Sequence, residues 1–270
     1  MISKDNKNNI LITCVGGSLK SKELLYLKKK SKYNNFVIGT DENNNAIGKK
    51  YADKFYKVPN PDSSNYIKLF LNIVKKENID LIIPSSDEEA FALSKNANKF
   101  KKIGCIIACS NFKTIKILSN KIQTYKYLKG TKVPLPLYFV AHKLENILVK
   151  TKYLLNKNYD VVIKPSISRG GRNVTIIGKN KPPSNHFKGS REVFMFYDQF
   201  KKKYKKYKDF LPVIVMEKLR EPTYDLDILA HNGKIVRQVA RRRIKSKLPN
   251  DGHIIEMRGE IYKIASIISK

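Results

Sequence analysis

The sequence predicts an α/β protein in which a doubly wound parallel sheet is followed by an α+β domain. Up to about residue 112, short apolar segments alternate with segments of helical periodicity, as in parallel sheets with helices on both faces. Beyond that point strands follow one another with fewer helices between them, and Pro134 and Pro136 interrupt the chain. A chain of 270 residues is long enough to bury the cores of both parts.

Four short apolar runs in the first part predict the strands of the parallel sheet. They are ILITCV (10–15), FVIG (36–39), IDLIIP (79–84) and IGCIIAC (103–109). Helices are predicted between them from KELLYLKKK, from YIKLFLNIVKKEN and from SSDEEAFAL. The last of these has Ser86 or Asp87 as its N-cap and acidic residues in its first turn. This alternation is typical of a Rossmann-like domain.

The first strand-to-helix junction, CVGGSLKS, resembles a dinucleotide-binding turn, because Asp41 follows the next strand. The third glycine of the G-x-G-x-x-G pattern is missing, so the pattern does not provide its close approach to a pyrophosphate. We therefore favour a tight turn in a domain that binds no dinucleotide.

The second part is predicted to contain a helix that ends at Gly130 and four strands, LYFVA, VVIKP, NVTIIG and PVIVMEKL. Residues 191–210 are predicted to form an amphipathic surface helix, because one stripe is aromatic and lysines cover the rest. The stripe comprises Phe196, Phe200, Tyr204 and Tyr207. An Asn-Gly turn within HNGK predicts a hairpin between YDLDILA and IVRQVARRRIK. The apolar stripe of a last helix comprises Ile261, Ile264, Ala265 and Ile268.

The formal net charge of +31 would fit a protein that binds nucleic acid or an anionic membrane. The lysines are spread along the whole chain, and Lys, Asn, Ile and Tyr, the residues of AT-rich codons, are all abundant. Codon bias is therefore the favoured explanation, and nucleic acid is not an expected partner. Every arginine lies at or after Arg169, which suggests positions that need a planar, bidentate donor.

The sequence indicates a soluble cytoplasmic protein. The first residues, MISKDNKNN, contain no secretory apolar region. No apolar run approaches the roughly 20 residues that span a bilayer, so no membrane association is expected. Cys14, Cys105 and Cys109 lack the spacing of a zinc site and are expected to be free thiols.

A lysine, Lys164, directly follows three apolar residues in VVIKPSISRGGRNV. Burying an ammonium group is costly unless an anion meets it. The loop behind this lysine contains Ser168, Arg169, Gly170 and Gly171. Its glycines would let backbone N–H groups approach phosphate oxygens, although it is not a Walker A loop. A hairpin loop beside a surface lysine is the alternative interpretation.

The order of several short motifs, over essentially the whole chain, resembles the ATP-grasp superfamily. The likeness is to the carbamoyl-phosphate synthase large-subunit type and to stand-alone carboxylate–amine ligases. The motifs are DENNNAIGKKYADKFYKVP, IDLIIPSSDEEAFAL, SNKIQTYKYLKGTKVPLP, VVIKPSISRGGRNV, MEKL and ARRRIKS. The resemblance implies a pre-ATP-grasp domain at 1–112, a small lid subdomain at 113–216 and an incomplete large ATP-grasp subdomain at 217–270.

This resemblance implies that ATP is the cofactor. Lys121 would meet the α-phosphate, and Lys164 would be the second basic residue on the phosphates. The four loop residues named above would cover those phosphates. The backbone of the hinge, Glu217, Lys218 and Leu219, would hold the adenine.

The sequence departs from the family pattern in three places. Asn120 stands where an aspartate often precedes the first lysine, and EPTY replaces G-x-E-Y after the hinge. Thr223 thus occupies the position of the ribose-binding glutamate, and Asp225, two residues on, faces the same way. The family's magnesium ligands lie on strands beyond the last helix. Mg²⁺ is expected for the family, but no ligands for it are assigned in this chain, which therefore resembles a C-terminally truncated member.

The reaction implied is activation of a carboxylate as an acyl phosphate, followed by attack of an amine. Small carboxylates and amines would be the substrates. Arg241 and Arg243 share one strand face and are the candidate catalytic residues, with an exposed basic strand as the alternative. We expect the chain to be incomplete alone, so a second chain could supply the missing strands. The other functions left open are a catalytically inactive nucleotide-binding protein and a basic nucleic-acid-binding protein on the same scaffold.

Overall fold

The computed structural model describes residues 8–30, 32–168, 171–178, 192–244, 252–256 and 258–269. The chain forms two compact units, Met1–Ser119 and Asn120–Lys270, which we call unit 1 and unit 2. None of the helices within the described ranges is long and apolar enough to cross a membrane.

Unit 1 is built on a parallel sheet, as the sequence predicts. Its strands are β1 (Asn8–Ile12), β2 (Asn35–Asp41), β3 (Lys54–Lys57), β4 (Leu81–Ile83) and β5 (Ile106–Ile107). They lie in the order β3-β2-β1-β4-β5, and each neighbouring pair is parallel. The apolar runs do not predict β3, because KFYK has an exposed lysine at either end.

Helices cover both faces of this sheet. The α-helices of unit 1 within the described residues are α1 (Lys20–Leu25), α2 (Tyr66–Glu77), α3 (Asp87–Lys95), α4 (Ala97–Lys101) and α5 (Phe112–Leu118), and α5 packs against α3. On one face Phe70 of α2 belongs to a buried cluster with Ile38, and on the other Leu24 of α1 clusters with Val37. Ser86, one of the two predicted N-caps, caps α3.

Unit 2 contains a mixed sheet and several helices. The strands are β6 (Tyr138–Ala141), β7 (Val161–Pro165), β8 (Thr175–Gly178), β9 (Val193–Phe196) and β10 (Val213–Glu217). They lie in the order β6-β10-β7-β8-β9, antiparallel except for the parallel pair of β8 and β9. The helices are α6 (Lys121–Lys129), α7 (Leu144–Asn156) and α8 (Tyr197–Lys203).

Different helices pack against the two faces of this mixed sheet. On one face Ile163 of β7 is buried with Leu154 of α7 and Phe200 of α8. On the other face Ile214 of β10 is buried with Ile122 of α6. This second face, covered by α6, is the one that carries Lys164, because Lys164 and Ile214 are register partners on β7 and β10.

The prediction of one helix over 191–210 is wrong for the described part of that segment. The chain first forms β9, then α8, and then a 3-10 turn at Tyr204–Phe210. Phe196 therefore lies on a strand and is partly exposed, whereas Phe200 and Tyr207 are fully buried. The apolar run VFMF fits both a strand and a helical stripe, and pairing with β8 favours the strand.

The predicted hairpin is present in a third, antiparallel sheet of unit 2. Its strands are β11 (Tyr224–His231), β12 (Lys234–Arg243) and β13 (His253–Ile255), in that order. Asn232 and Gly233 in the turn have φ of 48° and 76°, as a two-residue primed turn requires. The last helix, α9 (Gly259–Ile268), packs against β11 and β12. Ala265 of its apolar stripe is buried there, while Ile268 remains 42% exposed.

Candidate functional site

Lys164 is a half-buried cation on β7. Its ammonium group donates a hydrogen bond of 3.1 Å to the hydroxyl of Tyr125 and lies 5.3 Å from the centre of the same ring. No carboxylate contacts it in the part of the chain that the structure describes. Burial lowers the pKa of Lys164, because a desolvated ammonium group favours its neutral form. The position therefore attracts an anion.

Lys121 is the first residue of α6 and lies beside the loop that follows β7. Its backbone N–H donates to the carbonyl of Ser166 at 2.8 Å. Its ammonium group donates to the backbone carbonyl of Ser168 and, at 3.1 Å, to the Ser168 hydroxyl. Asn120, the departure noted in the sequence, is the N-cap of α6, and its side chain accepts hydrogen bonds from two backbone amides of the first turn. The helix start that presents Lys121 is thus fixed by capping.

The side chain of Tyr125 contacts both Lys164 and Met216, which lies near the end of β10. Tyr125 lies one helical turn after Lys121, so both side chains project from the same face of α6. The Tyr125 ring is stacked on Tyr138, with 4.7 Å between the ring centres, and its hydroxyl donates to the Met216 sulfur at 3.6 Å. The sequence patterns do not single out Tyr125 or Tyr138. The one sequence feature that points to Tyr125 is its position four residues after a candidate phosphate-binding lysine, and this feature alone does not distinguish it from a core tyrosine.

Only part of the predicted phosphate-covering loop can be placed. Ser168 contacts Lys121, and Gly171 adopts a left-handed backbone with φ of 73°, a conformation that glycine adopts without strain. Arg169 and Gly170 lie outside the described residues.

The hinge continues from β10. The Glu217 carboxylate accepts a hydrogen bond of 2.7 Å from the Leu137 amide, and the Glu217 amide donates to the Leu137 carbonyl at 3.0 Å. The Lys218 amide donates to the carbonyl of Asp160 at 2.7 Å. No backbone-to-backbone hydrogen bond within the described ranges uses the Lys218 carbonyl or the Leu219 amide. These two groups can therefore serve the edge of a planar ligand.

Asp225, Arg241 and Arg243 lie on one face of the third sheet. Arg243 donates two hydrogen bonds to Asp225, at 2.8 and 2.9 Å, and His253 lies 3.0 Å from the same carboxylate. Arg241 forms an ion pair of 2.7 Å with Asp227. The hydrogen bonds from Arg243, and to a smaller extent the contact with His253, lower the pKa of the Asp225 carboxyl group. The predicted catalytic and ribose-binding residues are thus brought together on one face, but Arg243 is paired with Asp225 and Arg241 with Asp227, so a ligand there must displace an existing partner.

The comparisons with known proteins agree with this architecture. Residues 10–108 match a family model described as PylC-like, N-terminal domain. N5-carboxyaminoimidazole synthetase from Staphylococcus aureus, complexed with ADP, is similar with a TM-score of 0.63 and 12% identity, over 99% of this chain and 63% of that one. An L-amino acid ligase from Bacillus licheniformis gives 0.63 and 14%, over 98% and 59%. No protein with a curated description matches the sequence.

A third solved structure is also similar to this chain. The biotin carboxylase domain of 2-oxoglutarate carboxylase from Hydrogenobacter thermophilus, in complex with MgADP, has a TM-score of 0.66 at 14% identity, over 97% of this chain and 57% of that one. The chain has a parallel-sheet N-terminal unit followed by part of an ATP-grasp fold. It spans about three fifths of the length of these three structures.

The described residues of this chain suit ATP better than Mg²⁺. Lys164 supplies a cation without a carboxylate partner, and the hinge supplies open backbone groups. The acids near the third sheet, in contrast, are held by basic side chains; Glu256, for example, accepts from Arg242 and Arg258 at 2.7 Å each. No group of three or more His, Cys, Asp or Glu side chains able to hold a metal occurs among the described residues.

Proposed function

We propose that unit 2 binds ATP and that the chain is an ATP-grasp protein of the carboxylate–amine ligase type. The observation that supports this most strongly is the half-buried Lys164, whose contacts in the described structure are a tyrosine hydroxyl and ring. Holding a charged group in a desolvated position lowers stability unless a ligand of opposite charge compensates for it. A polyphosphate supplies that charge.

In this proposal each part of the nucleotide has a distinct partner. The ammonium groups of Lys164 and Lys121 bind the phosphates, and the loop from Ser168 to Gly171 closes over them. The Lys218 carbonyl and the Leu219 amide bind the edge of the adenine, because a purine edge offers one donor and one acceptor side by side.

The reaction we propose is transfer of the terminal phosphoryl group to a small carboxylate, followed by attack of an amine on the acyl phosphate. The similar structures include an L-amino acid ligase and an N5-carboxyaminoimidazole synthetase complexed with ADP. The contribution of this chain is to position the phosphates and to neutralise their charge with cations. Arg241 and Arg243 would receive an anionic substrate group after exchanging their aspartate partners. Mg²⁺, if it takes part, needs ligands outside the described residues.

A matched pair of lysine variants tests this site. Lys164→Met should weaken ADP or ATP binding about 10- to 150-fold, because a charge-assisted hydrogen bond contributes about 1.5–3 kcal/mol. Lys206→Met is the control, since Lys206 also lies over a tyrosine ring, at 5.1 Å from Tyr207, and donates to the hydroxyl of Thr175. Its partners belong to the opposite face of the sheet, where Tyr207 is part of the α7 cluster.

Isothermal titration of the wild type and both variants, after a check of folding by circular dichroism, gives the affinities. We expect Lys206→Met to bind as the wild type does. Equal affinity of a folded Lys164→Met variant for both nucleotides would refute the assignment of Lys164.

A further inference from the structure

A buried carboxylate in unit 1 carries a charge that no basic side chain in the described structure neutralises. Glu89 of α3 is 3% exposed. Its carboxylate accepts hydrogen bonds from the hydroxyls of Thr13 at 2.5 Å, Ser86 at 3.1 Å and Tyr66 at 3.3 Å. Its hydrogen-bond donors in the described structure are thus these hydroxyls and the Cys14 thiol, and no ion pair of the described residues includes it.

This carboxylate lies at the carboxyl edge of the parallel sheet. Thr13 directly follows β1, and Ser85 and Ser86 follow β4. The amide of Ser85 donates to the Thr13 hydroxyl at 2.9 Å, which ties the two strand ends together. The chain order of the strands reverses between β1 and β4, and in open α/β sheets that point is where ligands bind.

Two further hydroxyls, near the carboxyl ends of β2 and β4, are buried without a partner among the described residues. The Oγ1 atom of Thr40 and the Oγ atom of Ser85 are inaccessible and make no hydrogen bond among the described residues. Thr40 itself is fully buried. Ile12 pairs with Gly39 in parallel register, so Thr40 is next to Thr13 and shares its face of the sheet. A buried hydroxyl without a partner is uncommon and calls for an explanation.

The neighbouring ionisable groups leave the charge of Glu89 uncompensated. Burial, and then the Glu89 carboxylate, raise the pKa of Tyr66 above its usual range. The same causes raise the pKa of the Cys14 thiol to about 12. Both groups therefore stay neutral near pH 7. The site combines the Glu89 carboxylate with several hydroxyl oxygens, and the buried Asp41 carboxylate also acts on Cys14.

We propose that this cluster binds one monovalent cation, either an alkali ion or the ammonium head of a small amine. Oxygen ligands are the ones that hard cations prefer, and an ammonium group donates hydrogen bonds to the same atoms. The Glu89 carboxylate supplies a negative charge that a bound cation would neutralise. The hydroxyls of Thr40 and Ser85 then serve as ligands, which explains why they have no partner within the chain. This inference concerns unit 1 and does not depend on the proposed nucleotide site.

The test is the unfolding midpoint of the full chain in different chloride salts at one ionic strength. Potassium, sodium, ammonium and methylammonium chloride are compared with choline chloride, whose cation is too large for the cluster. A cation that binds only the folded state raises the midpoint by mass action. We expect at least one small cation to raise the wild-type midpoint by several degrees over choline. Hydrogen exchange at residues 10–15 and 36–41 should slow in the same salt.

Three variants test whether the cation-specific rise in midpoint depends on the Glu89 cluster. Thr40→Val keeps the side-chain shape and should abolish the cation-specific rise, and Glu89→Gln should do the same if it folds. Thr151→Val is the matched control, because Thr151 of α7 in unit 2 is also fully buried with an unpartnered hydroxyl; it should keep the full rise.

The salts also distinguish the two sources of the cation. A rise with methylammonium and not with potassium or sodium assigns an amine, and the reverse assigns an alkali ion. Equal midpoints in all five salts, or a cation-specific rise that Thr40→Val retains in full, would overturn the proposal.

Discussion

Two lysines of unit 2 show how the surroundings of a residue, more than its type, indicate its role. Lys164 and Lys206 each donate to a hydroxyl and each lie over a tyrosine ring. Lys206 belongs to an exposed turn rich in lysine, whereas Lys164 interrupts an apolar strand. That interruption is visible in the sequence, so Lys164 could be predicted. Tyr125, which holds it, could not, because a tyrosine at helical spacing is usually a core residue.

Replacing Lys164 should raise the stability of the nucleotide-free protein. Burial holds the pKa of Lys164 below that of an unfolded lysine, so the folded state bears the cost of the charge at neutral pH. Lys164→Met should raise the free energy of unfolding by on the order of 1 kcal/mol. The difference should shrink as the pH rises through the folded pKa, because the wild type then loses its proton. Urea unfolding at pH 7 and pH 10 measures this; a loss of stability at pH 7 would contradict it.

For Asp225 we predict the opposite effect on stability: replacing this residue should destabilise the protein at neutral pH. Contact with Arg243 lowers its pKa, so the carboxylate contributes stability above the unfolded pKa of about 4. That contribution is lost as the pH falls through the folded pKa. Asp225→Asn should therefore be less stable than the wild type at pH 7, and the gap should close on acidification. Asp62→Asn, at an exposed loop position, serves as the control. A gap that stays constant from pH 7 to pH 3 would show that the ion pair contributes nothing.

At the scale of elements, local chemistry decides which parts were predictable. The Asn-Gly turn fixed the hairpin of β11 and β12, and Ser86 marked the start of α3. β3 and β13 have no sequence signal of their own, because both are short and each pairs along one edge of its sheet. The boundary between β9 and α8 depends on pairing with β8, which the sequence of the segment does not encode.

The start of α6 is an element whose stability should affect ligand binding. Asn120 accepts from the amides of Ile122 and Gln123 at 3.0 and 3.3 Å. Asn120→Ala should cost about 1 kcal/mol and should also weaken nucleotide binding, because Lys121 follows directly. Asn111→Ala removes the equivalent cap of α5 in unit 1 and should cost similar stability without changing the affinity. Urea unfolding and nucleotide titration of both variants test this. Equal nucleotide affinities of the two variants would show that the Asn120 cap does not contribute to binding.

At the scale of the whole molecule, topology carries more information than composition. A net charge of +31 fits several functions, whereas the strand order of unit 1 and the mixed sheet of unit 2 correspond to one fold. Identities of 12–14% to the similar structures leave the substrates open. The proposed substrates could not be predicted from the sequence, and in the structure the proposed anion-binding residues Arg241 and Arg243 are paired with Asp227 and Asp225.

We predict that the purified 270-residue chain releases ADP only at background rate with Mg²⁺ and a panel of amino acids and small carboxylates. The physical reason is that the described acids of the third sheet are engaged with arginine or histidine, whereas magnesium needs free carboxylate oxygens. A coupled ADP assay measures the rate. Steady turnover that disappears in Lys164→Met would show that a complete metal site exists in this chain.

The central claim, that unit 2 binds an adenine nucleotide at Lys164, is tested most directly by hydrogen exchange of the whole chain with and without saturating ADP. We predict slower exchange in three segments, 121–125, 164–168 and 217–219, and unchanged exchange in the strands of unit 1. Unchanged exchange in all three segments, at ADP concentrations that saturate any heat of binding, would contradict it.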